Sequence, residues 1–282
     1  MIERYSLPKM RSIWTEQRKL EIWLEIETLA CEAMAELGTI PKSDALEIRA
    51  KGAFDIEKIR EIEKRTNHDV IAFLENVAEY VGPASRWIHQ GLTSSDLLDT
   101  TIAVQMLESC NLLEADLLAL REAVAVRAKE HKFTPMIGRS HGIHAEPISF
   151  GLKMALMYDE FSRSLERLRE MRERVRVGKI SGAVGTHAHL DPRVEKSVCE
   201  KLGLKAAALS TQIIQRDRHA EFMTTLAIIA SKKLGLVNRD LATACLSARP
   251  RDALTDDDLI QRVDWAMTER QVHAGVIAVA DG

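Results

Sequence analysis

The 282-residue sequence lacks the features of an exported or membrane-spanning protein. No apolar run approaches the roughly 20 residues that a membrane-spanning helix needs, and the N-terminus holds no apolar stretch of the signal-peptide kind. The four cysteines are scattered and form no CxxC pair, which is typical of reduced thiols and not of a disulfide framework. We therefore expect a soluble, cytoplasmic protein.

The sequence also lacks a strong excess of positive or of negative charge. The formal net charge is -3, so no basic field favours nucleic acid or an anionic membrane as a partner, and we expect neither. The patterns GxxxxGKS/T and GxGxxG do not occur, so nucleotide binding by a phosphate loop is not supported.

Residues that break helices are sparse. The chain has 14 glycines and 7 prolines, and none of either falls within residues 92–134, 152–177 or 204–234. In the first two windows apolar residues recur every three or four positions, on one face of a helix. They are Leu113, Leu117, Leu120, Val124 and Ala128, then Leu165, Leu168, Met171 and Val175. No segment alternates with period two for long enough to predict a strand, so we expect an all-α bundle of long antiparallel helices.

Four short polar segments interrupt or border these helices, at residues 65–69, 89–100, 138–147 and 178–192. They contain six of the nine histidines: His68, His89, His141, His144, His187 and His189. Polar loops at the ends of rigid helices are where functional sites are usually built. Each segment alone also fits ordinary caps and turns, and residues 93–96 would cap the helix that follows.

Histidine can donate and accept protons near neutral pH, so these residues are candidates for acid–base catalysis. A zinc site is the alternative, because His141 and His144 are three residues apart and His187 and His189 are two apart. No carboxylate or cysteine lies at a recognised third-ligand spacing. We therefore predict no metal site.

Several segments together resemble one known family. They are residues 65–70 (RTNHDV), 89–100 (HQGLTSSDLLDT) and 138–147 (GRSHGIHAEP), with residues 2–8, 178–186 and 211–217 in support. Their order and spacing are similar to those of the bacterial adenylosuccinate lyase family, a branch of the aspartase/fumarase superfamily. The resemblance runs from Met1 to about Lys233. Within this resemblance, residues 142–144 are similar to the adenylosuccinate branch and not to argininosuccinate lyase or fumarase.

The resemblance implies an aspartase/fumarase-like fold, an all-α bundle of long helices. It predicts an N-terminal helical domain at residues 1–110 and a partial central helical-bundle domain at 111–233. Residues 234–282 are expected to be a divergent tail of unknown fold, with the bundle truncated within its central domain. The superfamily forms homotetramers in which segments of three subunits build each site, so a homo-oligomer is implied here.

The implied reaction is a β-elimination that needs no cofactor. It releases fumarate from a small succinylated purine nucleotide: adenylosuccinate, which leaves AMP, or the succinylated carboxamide ribotide of purine biosynthesis. A general base removes the proton β to the leaving nitrogen, and a general acid protonates that nitrogen as the C–N bond breaks.

By its position in the family's motif, His141 is the implied general acid. His68, flanked by Asn67 and Asp69, is implied to bind substrate and to support proton transfer. The other implied substrate contacts are Thr93 and Ser94 for a carboxylate, Arg4 and Tyr5 for the nucleotide end, His89 for the phosphate side, and Gln212. Hydroxyls near a helix start suit a carboxylate, and arginine suits a phosphate.

One diagnostic element of the family does not occur in the sequence: the loop Ser-Ser-x-Met-Pro-x-Lys-x-Asn-Pro, whose serine is the general base. No serine follows Ser247 and no lysine follows Lys233. We therefore expect the acid half of the site without the base half, and an elimination slowed by about 10²–10⁴-fold. Two other functions stay open: another fumarate-releasing lyase of the superfamily, or a non-catalytic nucleotide-binding or assembly module.

The end of the resemblance near Lys233 has two explanations, divergence into a binding or scaffold protein, or a shortened or frame-shifted product. We predict the second, in which residues 234–282 are not lyase sequence. Reading the gene in its other two frames after the Lys233 codon should then reveal the serine-rich loop. If neither frame encodes that motif, the frameshift explanation is wrong.

Overall fold

The structure is a computed structural model that describes residues 6–231. Its first helices are α1 (Pro8–Ile13), α2 (Glu16–Glu36), α3 (Lys42–Lys51), α4 (Ile56–Thr66), α5 (Asp69–Val81) and a 3₁₀ helix at Gly82–Trp87. They are followed by α6 (Ser94–Glu130), strands β1 (Pro135–Ser140) and β2 (Ile143–Ser149), α7 (Phe150–Val175), strand β3 (Val177–Gly178), α8 (Pro192–Lys201), strand β4 (Lys205–Ala206) and α9 (Asp217–Ser231). The described residues are mostly helical, as predicted.

The two longest helices coincide with predicted windows. α6 has 37 residues and α7 has 26. Along α7 the predicted apolar stripe is buried at all four positions. Along α6 it is buried at Leu117 and Val124 and half-buried elsewhere. Among residues 6–231, no helix is long and apolar enough to cross a membrane.

The segment around His141, predicted as a polar loop, is a β-hairpin instead. β1 and β2 pair antiparallel, and their last pair, Ser140 with Ile143, encloses the turn formed by His141 and Gly142. Both turn residues have positive φ, 52° and 73°, as two-residue type I′ turns require. The strands were not predicted because most of their residues are exposed, so neither face needed a regular apolar alternation.

The third window free of glycine and proline is helical only in its second part. Residues 207–216 form bends and irregular backbone, and α9 begins at Asp217. The backbone N–H of Ile214 donates to the Asp99 side chain at 2.6 Å, and the Arg216 guanidinium donates to the same carboxylate at 2.9 Å. These tertiary contacts override the helical propensity of the segment.

The described residues divide into two compact units. The first comprises residues 6–110 and 172–220, and the second comprises residues 111–171 and 221–231. The predicted domain division at residues 110 and 233 stays a prediction.

The core of the first unit contains an aromatic cluster between α2 and α5. Trp23 of α2 packs edge-to-face on Phe73 of α5, with ring centroids 5.4 Å apart, and Phe54 packs on the same ring at 6.0 Å. Trp23 and Phe73 are fully buried. Burial of a large apolar side chain contributes about 1.5–3 kcal/mol, so the cluster fixes these helices against one another.

In the second unit, the end of α6 meets the start of α7 at the base of the hairpin. His131 packs edge-to-face on Phe150 at 5.0 Å, and the Gly151 N–H donates to the His131 carbonyl at 2.9 Å. A Cβ on Gly151 would lie 2.6 Å from the Ala128 carbonyl oxygen, so this close approach requires glycine. These contacts anchor the hairpin that carries His141.

Two glycines of the first unit provide a matched test of backbone packing. Gly185 has φ +79°, and a Cβ there would lie 2.2 Å from the Ser210 carbonyl oxygen. Gly38 has φ +76°, with nothing within 4 Å of an added Cβ. We expect Gly38→Ala to cost about 1–2 kcal/mol for its left-handed backbone alone, and Gly185→Ala to cost clearly more. Urea unfolding measures both losses, and equal losses would contradict the close contact at Gly185.

Candidate active site

The start of α6 is fixed by two hydrogen bonds between Thr93 and Asp96. Thr93 precedes the helix, and its backbone N–H donates to Asp96 Oδ2 at 2.8 Å. In return, the Asp96 N–H donates to the Thr93 carbonyl at 2.9 Å. The bond from the Thr93 N–H to the Asp96 carboxylate is one half of a capping box, and the backbone bond from Asp96 to the Thr93 carbonyl closes the first turn. The prediction that residues 93–96 cap the long helix is confirmed.

Asp96 also joins this turn to the segment that follows β3. Its carboxylate accepts the N–H groups of Ser181 and Gly182, both at 3.1 Å, and forms an ion pair with the Lys179 ammonium. Both charged side chains are 0% exposed. Because a buried charge is costly unless it is paired, the ion pair holds the two segments in one arrangement.

A second buried carboxylate, Asp99, lies one turn further along α6. Through its bonds to Ile214 and Arg216 it anchors residues 211–217. This segment carries the predicted substrate contact Gln212, whose side chain is exposed. Asp96 and Asp99 together therefore gather two distant segments at the N-terminal end of α6.

His68 caps α5 and faces the start of α6. Its Nδ1 accepts the N–H of Ile71 at 3.4 Å, and its Nε2 lies 3.4 Å from Ser94 Oγ. Because Nδ1 is an acceptor, the neutral ring carries its proton on Nε2, towards Ser94. Asn67 ends α4 with φ +50°, and Asp69 Oδ1 lies 3.6 Å from His68 Nδ1. The structure thus brings four predicted site residues together.

His89 is held by a buried carboxylate. Its N–H donates to Glu27 Oε2 at 2.8 Å, and its Nδ1 lies 2.6 Å from Glu27 Oε1. Burial lowers the pKa of His89, but the hydrogen bond and charge of Glu27, with the charge of Asp96, outweigh burial and raise the pKa above its ordinary 6.5. His89 therefore holds a proton more firmly than a free histidine, which suits contact with an anion.

A cleft of about 560 Å³ opens in the first unit next to His89. Residues 90–92 line one side, and residues 181–184 with Thr186, Ala188 and His189 line the other. Gly91 has φ +80°, and a Cβ there would lie 2.7 Å from the His189 carbonyl oxygen, so glycine is needed where the two walls meet. A cleft of this size suits a small molecule.

His141 belongs to the second unit and lies at the exposed tip of the hairpin. His144 is also exposed and pairs with Arg139 across the two strands. The predicted contacts Arg4 and Tyr5 lie outside the residues that the structure describes.

A third histidine–carboxylate contact supports the cleft wall. His187 Nε2 lies 3.1 Å from Glu195 Oε2, and Glu195, which is buried, also accepts the Ile180 N–H at 2.9 Å. Within residues 6–231, no three His, Cys, Asp or Glu side chains are grouped to hold a metal ion.

Sequence reasoning missed the buried charges that support the site. Asp96 and Asp99 are three residues apart in a polar segment, a spacing that puts them on one face of α6. Glu27 lies among apolar residues on the buried face of α2, where an unpaired charge is rarely found. These two signals could have identified all three carboxylates as structural partners.

Comparison with known proteins assigns the family. Residues 3–246 match the protein family described as Lyase. The chain belongs to this lyase family. The match includes residues after Lys233, where the motif resemblance ends.

Two curated relatives of this lyase chain are named adenylosuccinate lyase. The protein of Bacillus subtilis (strain 168) is 54% identical over 231 residues, which cover 82% of this chain and 54% of the relative. The protein of Synechocystis sp. (strain ATCC 27184 / PCC 6803 / Kazusa) is 53% identical with the same coverage. This chain therefore spans about half the length of the curated relatives it matches.

Solved structures share the fold. A fumarate lyase from Mesorhizobium sp. BNC1 has a TM-score of 0.76 at 31% identity. The match covers 85% of this chain and 57% of the Mesorhizobium chain. A 3-carboxy-cis,cis-muconate lactonizing enzyme from Pseudomonas putida has a TM-score of 0.76 at 30% identity, with coverages of 84% and 56%. These similarities confirm the predicted aspartase/fumarase-like helical fold.

Glu27→Gln tests the cause of the raised His89 pKa. The variant keeps the burial that lowers the pKa and removes the carboxylate that raises it, so the pKa of His89 should fall below 6.5. NMR titration of the His89 ring protons in both proteins measures the change. An unchanged value would exclude Glu27 as the cause.

The contact between Glu27 and His89 also makes the free energy of unfolding depend on pH. Because folding raises the pKa of His89, its stabilisation is fully present below about pH 6.5 and is lost as pH rises through the higher pKa of the folded protein. The difference in unfolding free energy between the wild type and E27Q should therefore shrink as pH rises from about 6.5 through the pKa of His89 in the folded protein.

Proposed function

We propose that this chain is a lyase that releases fumarate from adenylosuccinate by β-elimination and leaves AMP. The succinylated carboxamide ribotide of purine biosynthesis, which has the same reacting group, is the second substrate. The observation that carries the proposal is the 54% identity over 231 residues to a protein named adenylosuccinate lyase. The cleft of about 560 Å³ supports it, because its size suits a small molecule.

The elimination needs two proton transfers, one from the carbon β to the leaving nitrogen and one to that nitrogen. A base removes the proton on the carbon β to the purine-bound nitrogen, and the electron pair forms the C=C bond of fumarate. The C–N bond breaks as an acid protonates the nitrogen. We assign His141 as that acid, because an exposed histidine beside Gly142 at a hairpin tip can be approached closely by an anionic substrate.

Thr93 and Ser94 are the proposed ligands of a substrate carboxylate. They lie at the first turn of α6, where N–H groups and the helix dipole favour an anion. His68 adds a donor on the same side, because its Nε2 lies 3.4 Å from Ser94 Oγ. Asn67 and Asp69 flank that histidine and hold the turn that orients it.

The nucleotide end of the substrate is assigned to the remaining residues. His89, whose pKa is raised by Glu27, is the proposed phosphate contact, because a protonated ring forms a charge-assisted hydrogen bond with phosphate. Arg4 and Tyr5 bind the nucleotide, and Gln212 is a further substrate contact.

The proposal includes assembly as a cytoplasmic homo-oligomer, a tetramer as in the superfamily. Support comes from the second unit, where Leu152 and Leu156 lie one turn apart on α7 and are 60% and 66% exposed. Phe133 is 85% exposed. Large apolar side chains exposed one turn apart on a helix, as on α7, are typical of faces that another chain covers.

Two other functions each have one observation in favour. A non-catalytic nucleotide-binding or assembly module agrees with the missing serine-rich loop motif, and it would bind adenylosuccinate without turnover. Another fumarate-releasing lyase agrees with the similarity to the Mesorhizobium fumarate lyase, and it would release fumarate from a different succinyl compound.

Fumarate release by the purified 282-residue chain tests the proposal. With adenylosuccinate as substrate we expect fumarate and AMP in equal amounts, measured by chromatography, at a rate lowered because these 282 residues lack the serine-rich loop motif. His141→Ala should lower the rate by about 10²–10⁴-fold, because it removes the proton donor for the leaving nitrogen.

Lys132→Ala is the control, because it removes an exposed side chain just before the same hairpin, at a residue with no assigned role, and should leave the rate unchanged. Release that persists in His141→Ala would contradict the assignment of the acid. Binding of adenylosuccinate without release would favour the module, and release only from another succinyl compound would favour the other lyase.

A further inference from the structure

Asp96 is buried beneath the turn to which we assign the substrate carboxylate. We propose that Asp96, with Lys179 as its counter-ion, is a positioning residue that sets Thr93 and Ser94 for that carboxylate. This inference rests on the proposed function of the chain. It adds to that function a pair of residues that hold the binding groups in place without touching the substrate.

The acceptor capacity of Asp96 is fully used within the protein. Oδ1 accepts the Ser181 N–H and pairs with Lys179, while Oδ2 accepts the N–H groups of Thr93 and Gly182. A carboxylate offers about four acceptor positions, so this one has none left for a ligand. A single side chain therefore fixes three backbone N–H groups from two segments that are distant in sequence.

Lys179 makes a carboxylate acceptable at this position. An uncompensated negative charge beneath Thr93 and Ser94 would repel the carboxylate of a substrate, and the Lys179 ammonium cancels it. The backbone of Lys179 is itself fixed, because its N–H donates to the Thr100 hydroxyl at 3.1 Å and its carbonyl accepts from that hydroxyl at 2.9 Å. The backbone that carries the Lys179 ammonium is thus held in a fixed position.

The packing around the pair couples the turn to the cleft. A Cβ on Gly182 would lie 3.2 Å from the Gly91 carbonyl oxygen, so the two cleft walls are already close. Gly91 precedes Thr93 by two residues, and Gly182 donates to Asp96. A displacement of Asp96 would therefore move the turn at Thr93 and Ser94 together with the cleft wall.

Binding of two ligands separates positioning from a general effect on stability. Adenylosuccinate and AMP share the purine nucleotide, but only adenylosuccinate carries the succinyl carboxylates. The informative variant combines Asp96→Asn with Lys179→Met, because it removes both charges at once and leaves no buried charge unpaired. By calorimetry on the full chain, we expect the adenylosuccinate affinity to fall about tenfold or more and the AMP affinity to fall clearly less.

Asp96→Glu keeps the charge pair with Lys179 but adds one methylene beneath the turn, which displaces Thr93 and Ser94, so adenylosuccinate affinity should fall selectively there too. This variant carries the test if thermal unfolding shows that the double variant does not fold. Asp44→Asn is the matched control. Its part-buried carboxylate accepts the Trp87 indole N–H at 2.7 Å, and the same change of acid to amide should leave both affinities unchanged.

An equal loss of both affinities would overturn the positioning role, because a structural defect weakens every ligand. An unchanged adenylosuccinate affinity in the folded variants would overturn it as well. If the wild-type chain binds neither ligand, the proposed function itself fails, and that result is distinct from a selective loss in the variants.

Discussion

The burial of Asp96 with Lys179 is the constraint on which the candidate site depends. Two opposite charges that are both 0% exposed cannot separate without leaving a costly unpaired charge, so the start of α6 and the segment after β3 have one arrangement. Asp99, one turn along the same helix, likewise holds residues 211–217 in place through its bonds to Ile214 and Arg216. Segments that are far apart in sequence therefore meet at one helix end through two carboxylates.

The backbone at the polar segments is unusual in a related way. Among residues 6–231, four residues other than glycine have positive φ: Asn67, His89, His141 and His187. A left-handed backbone costs such a residue about 1–2 kcal/mol, and these conformations cluster at functional sites, where the surrounding structure holds them. Each of the four lies in a different polar segment, and three are histidines. This distribution supports the proposal that the segments serve acid–base chemistry.

The long helices and the polar segments could be predicted from sequence because both leave local traces. α6 and α7 show as apolar stripes without breakers, and the histidines concentrate between helices. The hairpin was missed because its strands are mostly exposed on both faces. The irregular segment before α9 was missed because it depends on Asp99, which lies 115 residues from Ile214. The burial of Lys179 likewise depends on a distant partner, and a single sequence carries no local pattern for such a contact.

A crystal structure of the chain with adenylosuccinate tests the central claim most directly. We predict a succinyl carboxylate within hydrogen-bond distance of the Thr93 and Ser94 hydroxyls and the nucleotide in the cleft lined by residues 90–92. The Asp96–Lys179 pair should be intact and out of contact with the ligand. A ligand bound away from the start of α6, or one that contacts Asp96 directly, would contradict the proposed site.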